Sequence, residues 1–263
     1  MSVVRNLCVR ICQANRASLD GVRFLNMRIL HRIVFFWVGR NTDIPTLLVR
    51  SIRQHLGLDM EIVQLSDRDT PRVDGVNTYR RMKLSSRIMV ARLEAYASLT
   101  INKPTLFLDA DMLVLRDFDL PSLNASEVGV TPRNDRAEIN WRFPIDFPEF
   151  KGKYINDEMP YIYSFVYTSS EILFVRQLNR LRKLPRRFQE WYGDQVTLKH
   201  ELESGRYVKR DFSIDIYNRT VNTLGEFEKI LTSHPDVCLV HFKGPKGKHV
   251  MLEATRMMQR TPE

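Results

Sequence analysis

The stretch PTLFLDADMLVLRDF, residues 104–118, decides the fold. One apolar run leads into Asp109-Ala110-Asp111, and a second apolar run follows. Runs of this length are typical of strands that are buried on both faces of a parallel sheet. Open α/β sheets bind their ligands at the carboxyl ends of such strands, and carboxylate oxygens there suit Mg²⁺ or Mn²⁺. The stretch therefore predicts a cation site or, as the plainer alternative, a solvated turn between two strands.

Strand and helix patterns alternate on both sides of this stretch. Strands are predicted at 33–38, 61–65, 106–108, 128–131, 161–167 and 236–242. Helices are predicted at 43–56, 85–99, 169–184 and 193–202. This alternation predicts one α/β domain with a Rossmann-type, mainly parallel central sheet flanked by helices. The long, Pro- and Arg-rich segment 132–160 is expected to be a lid or a binding wall.

Composition and charge narrow the class of protein. The chain has 263 residues, a net charge of +9 and three cysteines. That length suits one large α/β domain, and so few cysteines indicate a reducing, cytoplasmic compartment rather than a disulfide framework. Residues 176–187 hold six basic side chains and no acid. Such a block attracts the phosphate groups of nucleotides, anionic lipids or nucleic acid, although a solvated basic face is the plainer alternative.

Residues 1–30 form a basic leader in which apolar residues recur at helical spacing. This pattern is typical of an amphipathic helix on an anionic membrane surface, here the inner face, with a mitochondrial-type presequence or a packing helix as alternatives. It lacks the uninterrupted apolar centre of a signal peptide. No window of eighteen residues is apolar enough for a membrane-spanning helix.

Three groups of chemically active residues follow predicted element ends: Asp109 with Asp111, Asp194 with Gln195, and His241 with the Gly- and Lys-rich loop 243–248. Their order resembles that of the GT-A-fold glycosyltransferases that use nucleotide sugars. The likeness is greatest to the retaining glycogenin and lipopolysaccharide galactosyltransferase family. The matching elements are FLDADMLVL, Arg92-Leu93 seventeen residues before Asp109, GDQ at 193–195 and HFKGPKGK at 241–248. The resemblance covers roughly residues 33–250.

The resemblance implies a GT-A-like domain over residues 31–263. A nucleotide-sugar-binding half would span 31–131, and an acceptor-binding half would span 132–263. It implies Mn²⁺ or Mg²⁺ bound by Asp109, Asp111 and His241. Such a cation neutralises the charge that develops on the departing diphosphate.

The resemblance also implies roles for the residues around the cation. Gln195 would lie beside the anomeric carbon, and Asp194 would bind donor hydroxyls. The residues implied to contact the base, ribose, diphosphate or donor sugar are Asn41, Asp67, Arg92, Asp109, Gly244, and Lys246 or Lys248. The plainer alternatives are a helix cap for Asp194, a helix-surface arginine for Arg92, and turn residues for Asn41 and Asp67. The sequence departs from the family at 161–167, where YIYSFVY replaces an Asn-x-Gly strand, and it lacks the family's tryptophan after the last lysine.

The expected function is the transfer of a hexose from a UDP-sugar to a glycan or lipid-linked acceptor, such as lipopolysaccharide core, with retention. One alternative is a Mg²⁺-dependent phosphohydrolase of the haloacid dehalogenase type. Its D-x-D motif continues into Gly-Thr, whereas this chain continues into Met112-Leu113. Another alternative is a basic protein that binds a membrane surface or nucleic acid. Of these two partners, nucleic acid is the less expected. Such a protein would account for the charge but not for Asp109, Asp111 and His241.

Overall fold

The structure, a computed structural model, describes residues 29–139 and 147–260, so most of the predicted leader lies outside the described residues. The strands are β1 (Arg32–Phe36), β2 (Glu61–Ser66), β3 (Thr78–Arg81), β4 (Thr105–Asp109), β5 (Met112–Val114), β6 (Glu127–Pro132), β7 (Tyr161–Thr168), β8 (Val208–Asp211), β9 (Arg219–Thr220) and β10 (Leu239–His241). The helices are α1 (Asp43–Leu56), α2 (Ile88–Ala97), α3 (Ile155–Glu158), α4 (Leu173–Leu181), α5 (Arg186–Glu190), α6 (Gly193–Glu203), α7 (Ile214–Tyr217), α8 (Leu224–Ser233) and α9 (Gly244–Arg260).

Seven strands form the central sheet in the order β3-β2-β1-β4-β7-β6-β8. The pairings β3–β2, β2–β1, β1–β4 and β6–β8 are parallel. Strand β7 runs antiparallel to both of its neighbours, β4 and β6. The predicted single α/β domain with a mainly parallel central sheet is therefore confirmed.

Helices cover both faces of this sheet because its central strands are apolar on both faces. Ile33 and Phe35 of β1 pack with α1 on one face, while Val34 and Phe36 pack with α2, α4 and α6 on the other. A buried aromatic group, Tyr96, Phe107 and Phe174, joins α2, β4 and α4, with ring centroids 4.5–5.1 Å apart. Such aromatic pairs stabilise a core by about 0.5–1.5 kcal/mol each beyond the burial of their area.

A second, three-stranded sheet, β5-β10-β9, lies beside the carboxyl end of β4. In this sheet His241 of β10 is opposite Met112 of β5, and the Phe242 amide donates a hydrogen bond to the Asp111 carbonyl at 2.9 Å. Asp111 therefore lies in the turn between a strand of the large sheet and a strand of the small sheet. This turn holds the end of the late strand β10 against the end of β4.

One local prediction was wrong: the Gly- and Lys-rich segment 243–248 is not an extended loop, because helix α9 begins at Gly244. Gly244 has a φ of 70°, a left-handed conformation that suits glycine at the start of the helix, and Pro245 follows in the first helical turn. Gly247 then packs on the backbone of Phe242, where an added Cβ would lie 2.5 Å from the carbonyl carbon. No helix in the described ranges has the length and apolar character needed to cross a bilayer.

Candidate active site

The structure brings Asp109, Asp111 and His241 together at the carboxyl end of β4. One potential ligand atom from each residue lies within 4.8 Å of the other two. The His241 Nε2 atom is 3.3 Å from an Asp111 carboxylate oxygen and 3.9 Å from an Asp109 oxygen. Two carboxylates and one imidazole with this spacing fit a divalent cation such as Mg²⁺ or Mn²⁺.

A buried hydrogen-bond chain fixes the orientation of the His241 ring. The Ser164 hydroxyl donates to the Asn218 Oδ1 atom at 2.9 Å, and Asn218 in turn donates to Thr131 at 2.7 Å. The single Ser164 proton is thus used, so at 3.0 Å from His241 Nδ1 the hydroxyl oxygen accepts the proton of that nitrogen. His241 Nε2 therefore points at the two aspartates, where it would serve as the ligand nitrogen for a bound cation.

Of the two lysines predicted at the diphosphate, Lys248 is the one that lies near this cluster. Its ammonium nitrogen lies 3.8 Å from an Asp111 oxygen and 5.3 Å from the centre of the Trp37 ring, whereas Lys246 is exposed. Burial would raise the pKa of Asp111, but His241 and Lys248 outweigh it and hold that pKa below its ordinary value. Asp111 is therefore an ionised carboxylate at neutral pH, as a cation ligand must be.

Arg92 lies between two of the predicted acids, so it is not a helix-surface arginine. Its guanidinium donates to an Asp194 oxygen at 2.8 Å and lies 3.4 Å from an Asp109 oxygen. Asp194 is only 2% exposed, and burial raises its pKa more than Arg92 lowers it. Burial would lower the pKa of Arg92, but Asp109 and Asp194 raise it above its ordinary value. Arg92 therefore stays charged and links the cation cluster to α6.

Asp194 and Gln195 stand at the start of α6, as predicted. The second Asp194 oxygen accepts a hydrogen bond from the Gln195 amide at 2.8 Å. The N-cap residue of α6 is Tyr192, so Asp194 lies inside the first helical turn and is not the helix cap. The Gln195 side-chain oxygen accepts a hydrogen bond from Arg133 at 2.8 Å, and Arg133 also donates to the Met159 carbonyl at 2.8 Å. The Gln195 carboxamide is thus held in one orientation by Arg133.

Sequence reasoning missed Arg133 and Lys243, which line the same cavity. Burial lowers the pKa of Arg133, and burial together with the nearby Arg133 charge lowers the pKa of Lys243 to about 8. Arg133 directly follows β6, so its position at a strand end is the sequence signal that could have identified it. Lys243 follows His241 by two residues, inside the HFKGPKGK segment at 241–248, so its position beside His241 is the signal that could have identified it.

Most of these side chains line one cavity of about 560 Å³, but the predicted lysines Lys246 and Lys248 are not among its lining residues. Its polar lining consists of Arg92, Asp109, Asp111, Arg133, Asp135, Ser164, Asp194, Gln195, His241 and Lys243, together with Gly244. Tyr163, Trp191 and Tyr192 add aromatic walls. Concave sites of 300–1,000 Å³ with a few convergent polar groups are the usual form of a small-molecule site.

Asn41 and Asp67 do not line this cavity. The Asn41 side chain accepts a hydrogen bond from the Asp43 amide at 2.8 Å, ahead of α1. Asp67 accepts from the Thr70 amide at 2.9 Å, and the Thr70 hydroxyl accepts from the Gly39 amide at 2.8 Å. Both residues thus act as turn residues and tie the loops that follow β1 and β2.

The sequence matches no protein-family model and no curated protein. The fold is similar to a solved structure of the bifunctional glycosyltransferase WbbM in its apo form, with a TM-score of 0.51 and 11% sequence identity. The similarity covers 93% of this chain and 53% of that one, so the chain spans about half the length of the WbbM structure. At this identity the likeness is one of fold: the chain shares its α/β fold with this part of the WbbM structure.

Proposed function

We propose that the protein is a metal-dependent glycosyltransferase of the retaining, glycogenin-like kind. It would move a hexose from a nucleotide sugar, a UDP-sugar, to a glycan or lipid-linked acceptor. Residues 31–131 would bind the nucleotide sugar, and residues 132–263 would form the acceptor side. The fold shared with the WbbM structure supports the reaction class, and the cavity supports the assignment of its parts.

One observation carries the proposal: two acids from the middle of the chain and an imidazole from near its end converge in one cavity. Asp109 and Asp111 meet His241 there, within 4.8 Å of one another. Arg92, Asp194 and Gln195, which the resemblance assigned to the donor sugar, line the same cavity. A solvated turn between two strands would account for the two aspartates alone, but not for a buried histidine whose ring is fixed by Ser164 and Asn218.

The residues of the cavity suit the breaking of a bond between a sugar and a diphosphate. A divalent cation bound by Asp109, Asp111 and His241 would neutralise charge on the diphosphate. Lys248, 3.8 Å from an Asp111 oxygen but outside the cavity lining, would add a second positive charge on the Asp111 side. The backbone at Gly244 has no Cβ to keep a phosphate away. Lys246, which is exposed, is the weaker assignment.

On the sugar side, Asp194 and Gln195 would act together. Asp194 would accept hydrogen bonds from donor hydroxyls while Arg92 compensates its buried charge. Gln195, held by Arg133, would place a neutral amide beside the anomeric carbon, where positive charge develops. A neutral group there favours attack by the acceptor on the face from which the diphosphate leaves, which gives retention.

Calorimetry with a panel of nucleotide sugars, with and without Mn²⁺, tests the proposal. We expect one UDP-sugar to bind only with the cation, and Asp111→Asn to abolish that binding. Asp215→Asn, the same chemical change at an exposed aspartate, is the matched control and should bind like the wild type. Equal binding by both variants, or phosphate release from simple phosphoesters in place of sugar transfer, would reject the proposal. The anomeric configuration of the product, read by NMR, tests retention separately.

A further inference from the structure

The six basic residues of the 176–187 block have different surroundings in the structure. Four of them form ion pairs with glutamates: Arg180 with Glu201, Arg182 with Glu94, Arg186 with Glu190, and Arg187 with Glu149. Within the described ranges, the side chains of Arg176 and Lys183 form no ion pair. The basic residues of the block whose charge is not compensated are therefore Arg176, on α4, and Lys183, just after that helix.

A cavity of about 280 Å³ collects this uncompensated charge. Its lining consists of Arg176, Asn179, Arg180, Lys183, Glu201 and Arg206. Glu201 is the one acid among them; it is 2% exposed and lies 3.4 Å from Arg180 and 3.8 Å from Arg206. Four cations around one carboxylate leave three positive charges and the amide of Asn179 facing the cavity. This combination suits an anion with several oxygens, such as a phosphate group.

An apolar groove adjoins the cationic cavity and shares Arg176 and Arg206 with it. The groove has a volume of about 870 Å³, and its walls include Ile101, Leu123 and Ile172. Ile172 is 51% exposed, and Val175, one turn further along α4, is 38% exposed. Apolar side chains that remain in water beside clustered cations are typical of surfaces that contact a bilayer.

We propose that this groove and the cationic cavity together bind an anionic phospholipid at a membrane surface. The headgroup phosphate would enter the cavity between Arg176, Lys183 and Arg206, and Ile172 would contact the acyl region. Charge complementarity selects an anionic lipid, and the adjoining apolar groove selects an amphiphile over a free phosphate. Nucleic acid is disfavoured because the groove offers no exposed aromatic ring for bases to stack on; its tyrosine, Tyr207, is buried.

This surface is remote from the candidate active site and independent of the proposed reaction. The groove is formed by the loops before β4 and β6 and the loop after β7. These loops lie at the end of the central sheet opposite Asp109, which terminates β4. A lipid bound there would leave the 560 Å³ cavity free for substrates.

Vesicle flotation tests the proposal with the intact protein. Phosphatidylcholine vesicles are compared with vesicles that also contain phosphatidylglycerol. We expect binding only to the anionic vesicles, and a loss of at least tenfold in the double variant Arg176→Gln/Lys183→Gln, since each basic residue near an anionic surface contributes about 1 kcal/mol. The matched control, Arg182→Gln/Arg186→Gln, removes the same charge from ion-paired positions and should bind nearly as well as the wild type.

Three results would overturn the proposal. Equal losses in the two double variants would mean that net charge alone drives binding. Unchanged vesicle binding in Ile172→Asn, a substitution that the start of α4 tolerates, would remove the apolar groove from the interaction. Binding of a single-stranded oligonucleotide that depends on Arg176 and Lys183, without binding to anionic vesicles, would assign the surface to nucleic acid. A loss of vesicle binding in Ile172→Asn, with inorganic phosphate unable to displace the wild type, would support a lipid over a free phosphate.

Discussion

The ion pair between Arg92 and Asp194 should be a large local contribution to stability, and replacing Arg92 by Met tests this. Methionine keeps most of the apolar volume of the side chain but removes its charge. Asp194, 2% exposed, would then lose its 2.8 Å guanidinium partner, and Asp109 would lose a cation at 3.4 Å. A carboxylate left in the interior without a partner is strongly unfavourable.

The expected loss of unfolding free energy follows from the burial of Asp194. Removing one partner of a buried ion pair costs about 3–5 kcal/mol, whereas surface pairs contribute about 0–1 kcal/mol. For a domain of this size, a loss of about 3 kcal/mol lowers the melting temperature by roughly 6–12 °C. The control is Arg186→Met, because the Arg186 side chain is 77% exposed and its partner is Glu190 on the same helix. That control should lose less than about 1 kcal/mol.

Urea denaturation in the absence of ligands measures both variants and the double variant Arg92→Met/Asp194→Asn. The double variant should recover part of the loss, because it removes the charge that Arg92→Met leaves alone. Burial raises the pKa of Asp194, so the folded state takes up a proton at a pH where the unfolded state does not. The loss in Arg92→Met should therefore shrink as the pH falls from about 7.5 to about 5. The reasoning would be refuted if Arg92→Met lost no more unfolding free energy than Arg186→Met. It would also be refuted if the loss in Arg92→Met grew at acid pH.

Three further predictions concern the cavity and its support. Ser164→Ala should weaken Mn²⁺ binding by roughly 10–100-fold, because the His241 ring loses the acceptor for its Nδ1 proton; unchanged calorimetric affinity would contradict this. Gln195→Ala should lower turnover by roughly 10²–10³-fold with little change in nucleotide-sugar binding, and an equal fall in both would assign Gln195 to binding alone. Gly193→Ala should destabilise the fold by about 1–3 kcal/mol, because its Cβ would overlap a backbone carbonyl, whereas Gly225→Ala meets open space and should not lower the melting temperature.

Much of the fold could be predicted because the central strands are buried on both faces and therefore read as apolar runs. The helix at 43–56 was predicted with its end at Leu56, which Gly57 marks, and with either Thr42 or Asp43 as its cap; the structure has Thr42 at the N-cap position. The strands β3, β8 and β9 could not be predicted. Strand β8 is exposed along its whole length, so it has no apolar alternation and is defined only by pairing with β6.

The site was predictable only where chemistry and element ends coincide. Asp109 and Asp111 end a buried strand, and the Asp194-Gln195 pair begins a helix. Their partners come from distant segments: Arg133 is 62 residues from Gln195, and Ser164 is 77 residues from His241. Local periodicity carries no information on such contacts. The choice of Lys248 over Lys246 likewise depends on the close packing of Gly247, which only the folded chain reveals.

The cluster of Asp109, Asp111 and His241 is divided between two sheets, and this division has a consequence for the biosynthesis of the protein. All seven strands of the large sheet have been synthesised once Asp211 is in place, but the imidazole comes from β10, which is translated later. Because chains grow from the amino terminus, Asp109 and Asp111 are synthesised before His241, the third residue of the cluster. If the proposed function holds, chains that end between these points lack the imidazole of the cation site, so they would bind no cation there and transfer no sugar.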